Sequence, residues 1–168
     1  GVDWSRTRAY ALGLSGLYLN LKGREAEGTV APGPEAAELI AELVSKLSNL
    51  HDDERDRPAI RQAYATGSLY RGPYLDAAPD LIIGYHDGYR TSWDAATGKV
   101  APEVIEDNAK AWSGAHAIDP PLVPGVLFSN RRIDADDPVI EDLAPTALDL
   151  FGVGIPEWME GRPVFRGT

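Results

Sequence analysis

The chain has 168 residues, 43% hydrophobic and 25% charged, enough apolar material for one globular domain or a piece of one, which excludes a largely disordered chain. A formal net charge of −10 at pH 7 excludes a binder of nucleic-acid backbone, which needs a Lys/Arg surface to displace phosphate counterions. No apolar run approaches the roughly 18 residues of a membrane span, and the absence of cysteine removes disulfides and thiolate metal sites while leaving the compartment open.

In residues 7–21, Ala9 and Ala11, then Leu17, Leu19 and Leu21, alternate with their neighbours on either side of Gly13-Leu-Ser-Gly16, the pattern of a β-hairpin. Beyond Pro32-Gly-Pro34, the stripe Ala36, Leu39, Ile40, Leu43, Val44 and Leu47 predicts a helix over 35–50, with acids near its start and Lys46 near its end. Pro34 falls at the first turn, where its missing N–H costs nothing. Residues 51–57 read as a solvated charged connector in which His51 has no role. Residues 59–66 and 80–85 predict two more strands, so that an antiparallel sheet is covered by one helix; Asp76 and Asp80 read as turn formers before the second of them.

After Gly88 the pattern weakens. A helical segment is expected over 102–110, then a loop bearing His116, an apolar strand over 125–129, an acidic turn over 134–137 and a short helix over 140–151. The expected organisation is α+β or α/β: residues 1–87 form the small sheet with its main helix. Residues 88–168 carry the histidine loop, an edge strand and the C-terminal helix, with no linker between the two parts.

Two features invite a chemical role. Tyr89, Arg90 and Trp93 lie on a glycine-containing stretch that lets aromatic faces approach a substrate, although packing of the same stretch on the domain explains them too. The three histidines, His51, His86 and His116, show no i, i+4 spacing, so a three-ligand metal site within the chain is not expected. Asp119-Pro120 reads as a turn.

The stretch Trp112-Ser-Gly-Ala-His116-Ala-Ile-Asp119-Pro-Pro-Leu-Val-Pro124-Gly-Val-Leu-Phe-Ser-Asn130 resembles the end of the catalytic domain in the type I phosphodiesterase and nucleotide pyrophosphatase branch of the alkaline phosphatase superfamily. Four further stretches look like that branch in the same order: Val2-Asp-Trp-Ser-Arg-Thr-Arg-Ala-Tyr-Ala-Leu-Gly13, Gly16-Leu-Tyr-Leu-Asn-Leu-Lys-Gly-Arg-Glu25, Gly72-Pro-Tyr-Leu-Asp-Ala-Ala-Pro-Asp-Leu-Ile82 and Asp142-Leu-Ala-Pro-Thr-Ala-Leu-Asp-Leu-Phe-Gly152. The resemblance implies a central sheet flanked by helices with a smaller sheet beside it, and two divalent metals that bridge the phosphoryl group of a small phosphoester substrate. Zinc is the metal it implies, although manganese or iron tolerates the same ligands. It makes His116 one zinc ligand and places the Thr or Ser nucleophile and an Asp-His-Gly metal motif upstream of Gly1.

On that basis the chain, which opens Gly1-Val-Asp-Trp and has Met159 as its only methionine, reads as the C-terminal portion of a larger hydrolase. It would hold no catalytic residue of its own, and alone it would be metal-free and inactive. Its partner would be the upstream half of the same polypeptide. A strand such as Val126-Leu-Phe128 would lose its neighbours without that half, exposing a few hundred Å² at a cost on the order of several kcal/mol and favouring dimerisation or fraying. Ala115 departs from the pattern, which commonly has Asp directly before the histidine; if that carboxylate orients the imidazole, its loss weakens metal affinity about 10- to 100-fold. The alternative is a noncatalytic α+β binding or assembly module. A self-contained serine hydrolase is disfavoured because Gly-x-Ser-x-Gly is absent.

Overall fold

The computed structural model describes residues 1–115 and 117–165. Two compact units divide the chain, Gly1–Pro124 and Gly125–Thr168.

In the first unit, β1 (Ala9–Leu12) and β2 (Gly16–Leu19) form the expected hairpin, with Ala9 opposite Leu19 and Leu12 opposite Gly16. Gly13 takes φ 78° in the turn, a left-handed conformation that a side chain resists. Across the hairpin Tyr10 lies opposite Tyr18 with its ring stacked at 5.5 Å, and Trp4 meets Tyr10 edge-on at 5.3 Å. Such cross-strand aromatic pairs fix register.

Helix α1 (Pro34–Leu47) begins on Pro34 and carries Glu35 in its first turn and Lys46 in its last. It stops three residues short of the expected Leu50. Ser48 turns to extended ψ, Asn49 adopts φ 62°, and the Ser48 hydroxyl accepts the N–H of Ala63 at 3.1 Å. Two residue pairs, β3 (His51–Asp52) and β4 (Arg57–Pro58), then make a minimal antiparallel ribbon, followed by β5 (Ile60–Ala65), the single turn α2 (Thr66–Leu69), β6 (Leu81–Tyr85) and the single turn α3 (Trp93–Ala96).

The four-stranded sheet has the order β1-β2-β6-β5, antiparallel throughout. Ile60, Ala63, Leu81 and Ile83 pack beneath Ile40, Leu43, Val44 and Leu47 of α1, while Leu19, Val30, Ala36 and Leu39 form an adjoining cluster. Between Ile60 and Gln62 a bulge shifts the register, which is why Ile60 and Ala63, three apart, both reach the core.

Polar side chains secure the margins of this core. Asn20, 1% exposed, donates to the carbonyls of Trp4, Thr7 and Glu27 and ties the N-terminal turn to the loop before α1. Asp80, expected only to shape a turn, accepts the Leu19 N–H at 2.7 Å and the Arg24 guanidinium at 2.6 Å.

Two expected elements are not present. Residues 102–110 form bends rather than a helix, and Val104 is 89% exposed, so there is no apolar face to hold a helix down. Residues 125–129, expected as a strand, are irregular, with Val126 and Phe128 exposed and no neighbouring strand among the described residues.

In the second unit, a turn over Ile140–Asp142 leads into α4 (Leu143–Leu150), matching the expected C-terminal helix. A buried carboxylate organises it: Asp142 accepts the N–H groups of Val139 and Arg162, at 3.0 and 2.8 Å, and these bonds hold its pKa below the usual carboxylate range. The Thr146 hydroxyl accepts the N–H of buried Val164 at 3.0 Å and donates to the Asp142 carbonyl.

Leu19→Ala is expected to destabilise the first unit by about 2–5 kcal/mol, because a fully buried side chain leaves a cavity, whereas Val104→Ala stays within about 0.5 kcal/mol. Urea denaturation followed by tryptophan fluorescence measures both.

Candidate functional site

Strand alternation places Ile82 and Gly84 on the face of β6 opposite α1, because Leu81 and Ile83 face the helix. A Cβ built on Gly84 would lie 2.7 Å from the Asp119 carboxyl carbon, so glycine at this position is what admits Asp119 against the sheet. Asp119 is fully buried. Arg61, the extra residue of the β5 bulge, donates to Asp119 Oδ2 at 2.6 Å, and the Tyr64 hydroxyl lies 3.0 Å from both carboxylate oxygens. The Asp119 N–H donates to the Tyr85 carbonyl at 3.2 Å. Burial, then hydrogen bonding to Asp119, pushes the Tyr64 phenol above its ordinary pKa, so it is a hydroxyl donor throughout the neutral range.

The other side of the loop is held as well. Arg90 Nη1 donates to the Gly114 carbonyl at 2.8 Å, and its guanidinium lies 5.1 Å from the Trp93 ring centre. Trp93 opens α3 (Trp93–Ala96), whose first turn is capped by the Ser92 hydroxyl accepting the Ala95 N–H at 3.0 Å. Residues 114 and 119 are therefore each tied to the β5–β6 half of the unit or to the turn that follows it. His116, the expected metal ligand, lies between them in sequence and outside the described residues.

Tyr89 turns the opposite way. Its hydroxyl donates to Asp52 Oδ2 at 2.7 Å, and the Arg57 guanidinium lies 5.4 Å from its ring centre. Asp52 is 3% exposed and also accepts the N–H groups of Glu54 and Arg55 and the Arg55 guanidinium. The 51–57 connector is thus not simply solvated. Its sequence signal was the Asp-x-x-Arg spacing, which suits a turn closed on its own side chain. The Tyr89 hydrogen bond, with the Arg55 contacts, holds Asp52 below the usual carboxylate range.

Of the three residues expected to contact substrate, Tyr89 and Arg90 have intramolecular hydrogen-bond partners, and Trp93 is half-exposed under the Arg90 guanidinium. A groove of about 550 Å³ lies elsewhere, between the Lys22–Arg24 turn, Ile40, Thr66 and the Leu75–Asp80 segment, and none of the three lines it. His51 is exposed beside Asp53 at 3.1 Å, and His86 buries its Nδ1. Among the described residues no three His, Asp or Glu side chains gather as a metal site. With both oxygens bonded and no exposure, Asp119 is not available as a ligand.

In the sequence Asp119 reads as a turn former, and Arg61 and Tyr64 carry no signal of a role. The signals were an Arg and a Tyr three apart on a strand whose neighbour carries a lone glycine, an arrangement that becomes informative only once the strands are paired. Comparison with family models, with curated proteins and with solved structures finds no match to this chain.

Gly84→Ala is expected to displace Asp119 and lower stability by about 1–3 kcal/mol, seen as a lower thermal midpoint. Because the pKa of Asp52 is depressed on folding, its stabilisation is present above the ordinary aspartate value of about 3.9 and is lost as pH falls through the lower folded value. Tyr89→Phe narrows the gap between the two values without closing it, because the Arg55 contacts remain, so the acid-induced loss of stability between pH 5 and 2 is expected to be shallower in the variant, as measured by urea midpoints at each pH.

Proposed function

We propose that this chain is the C-terminal segment of a metal-dependent phosphodiesterase or nucleotide pyrophosphatase of the alkaline phosphatase superfamily, contributing His116 to a metal site completed by upstream residues. The observation that carries this reading is the stretch from Trp112 to Asn130. Its histidine is flanked by Gly114 and Asp119, both held by conformation-fixing contacts, and an apolar Val-Pro-Gly-Val-Leu-Phe segment follows. A solvated linker would not bury an aspartate completely.

Two further features support it. Val126 and Phe128 are 82% and 90% exposed, and Ile140, Phe151 and Trp158 are also exposed, apolar side chains of the kind that further chain of an α/β core covers. The first unit is a small antiparallel sheet with one covering helix, which suits an accessory sheet beside such a core.

In this assignment two divalent ions, with zinc the first choice, supply charge neutralisation for in-line displacement at phosphorus. The chain's own part is narrower: one imidazole, from a loop whose two flanks are fixed. In this reading His116 is a single donor to a site whose other ligands come from upstream; the Asp119 carboxylate is bonded to Arg61 and Tyr64, and Ala115 has no donor atom. The substrate is a small phosphoester, the partner is the upstream half of the same polypeptide, nucleic-acid backbone is a poor match for an acidic chain, and no helix among the described residues is long and apolar enough to cross a membrane.

A noncatalytic binding or assembly module is the second reading, favoured by the intramolecular engagement of Tyr89 and Arg90. Hydrolysis of bis-p-nitrophenyl phosphate with added zinc or manganese separates the two, compared between this chain and a longer polypeptide extended upstream. The expected result is activity only in the longer polypeptide, reduced at least about 100-fold by His116→Ala. Activity in this chain alone, or none in either, contradicts the assignment.

A further inference from the structure

We propose that the groove between the Lys22–Arg24 turn, Ile40, Thr66 and the Leu75–Asp80 segment binds a short zwitterionic peptide with apolar side chains. The site is built entirely from the first unit and does not depend on His116. Its volume of about 550 Å³ lies within the roughly 300–1,000 Å³ of small-ligand pockets. Leu21 and Ile40, only partly buried, pack on the core cluster and also line the groove, and partly buried Leu75 joins them there. Apolar surface of this kind favours a ligand with apolar side chains over a purely polar one.

Thr66 points to a hydrogen-bonding ligand. It is 3% exposed, its N–H donates to the Asp80 carbonyl at 2.9 Å, and its buried hydroxyl has no hydrogen-bond partner among the described residues. The Thr146 hydroxyl, equally withdrawn from water, is bonded on both sides. A hydroxyl removed from water with nothing in exchange is unfavourable, and a ligand that pairs it recovers the loss. Threonine in a helical turn has two favoured χ1 rotamers, so the hydroxyl turns toward a peptide carbonyl or N–H by a side-chain rotation alone.

The charges at the groove define the ligand's ends. Arg24 is taken up by Glu25 at 2.8 Å, by Asp80 at 2.6 Å and by the Leu19 carbonyl, so neither it nor Asp80 is free for a ligand. The other two charged residues of the lining, Lys22 and Asp76, are exposed, and their side chains have no hydrogen bond or ion pair among the described residues. One free cation and one free anion match a carboxylate and an ammonium at the two ends of one molecule. A zwitterion also escapes the long-range repulsion that a chain of net charge −10 exerts on an anion, and a simple cation leaves Lys22 unmatched. The volume admits more than one residue, the peptide bond supplies the donor and acceptor that Thr66 lacks, and the flexible stem of Lys22 follows the carboxylate end.

The test titrates the nitrogen-15-labelled 168-residue chain with alanyl-leucyl-alanine, with its N-acetyl and C-terminal amide forms, and with triglycine, following backbone amide shifts. The free tripeptide is expected to shift the amides of Gly23, Gly67 and Leu75, and capping either end weakens it about 2- to 5-fold. Lys22→Met weakens the free peptide by a similar factor and leaves the amide form as in the wild type, and Asp76→Asn does the same with the N-acetyl form. Thr66→Val is expected to weaken binding about 5- to 10-fold while raising the thermal midpoint, since it removes a hydroxyl that has no partner in the free protein. No shift at the groove, shifts confined to residues 125–168, triglycine binding as tightly as the leucyl peptide, or indifference to both caps overturns the proposal. A lower midpoint in Thr66→Val with unaltered peptide binding overturns the part given to Thr66.

Discussion

A single buried carboxylate determines how the first unit presents its loop. Asp119 sits on the face of the sheet away from α1, in the space left by the missing side chain of Gly84, and takes hydrogen bonds from a guanidinium and a phenol. A carboxylate removed from water is costly unless its oxygens are fully bonded. Here three separate features of the sheet meet that demand: a bulge that aims Arg61, a tyrosine placed opposite Ile82, and a glycine two residues beyond Ile82 on β6. Removing Arg61 leaves the buried carboxylate with only the Tyr64 hydroxyl, and removing Tyr64 leaves it with only the Arg61 guanidinium.

The same device recurs on a smaller scale. Asp52 gathers a tyrosine, an arginine and two backbone N–H groups, Asp80 gathers Arg24 and the Leu19 N–H, and Asp142 caps the turn into α4 while holding the backbone at Arg162. In an acidic chain with a modest apolar core, aspartates at the ends of strands and turns do much of the work of joining one segment to the next. The core proper, from Leu19 and Val30 to Leu81 and Ile83, holds the sheet to α1, while Asp52, Asp80 and Asp119 join neighbouring segments within the first unit.

The sheet and its helix were legible in the sequence because their signals are local. Alternation in Leu17, Leu19 and Leu21, the stripe from Ala36 to Leu47, and the apolar run Leu81-Ile82-Ile83 each declare their element without reference to distant residues. The end of α1 was misplaced because Leu50 continues the apolar stripe while Asn49, in the left-handed region, has already ended the helix. Residues 125–129 illustrate the opposite failure. Their composition suits a strand, but a strand exists only by pairing, and Val126 and Phe128 have no partner among the described residues. The anchors of the loop could not be read in advance, since Arg61, Tyr64, Gly84 and Asp119 are unremarkable until strand pairing brings them together. The resemblance points to His116, which lies outside the described residues.

Amide hydrogen exchange at Asp119 tests this account most directly. Its N–H donates to Tyr85 at the end of β6, outside any helix or ladder of its own, so local fraying would expose it within seconds. If the buried carboxylate ties the loop to the sheet, Asp119 exchanges only with the cooperative opening of β5 and β6, at the rate of Ala63 and Ile83. Exchange as fast as that of the exposed amides near Val104 would mean that the loop is not fastened to the sheet, and the central claim would fail.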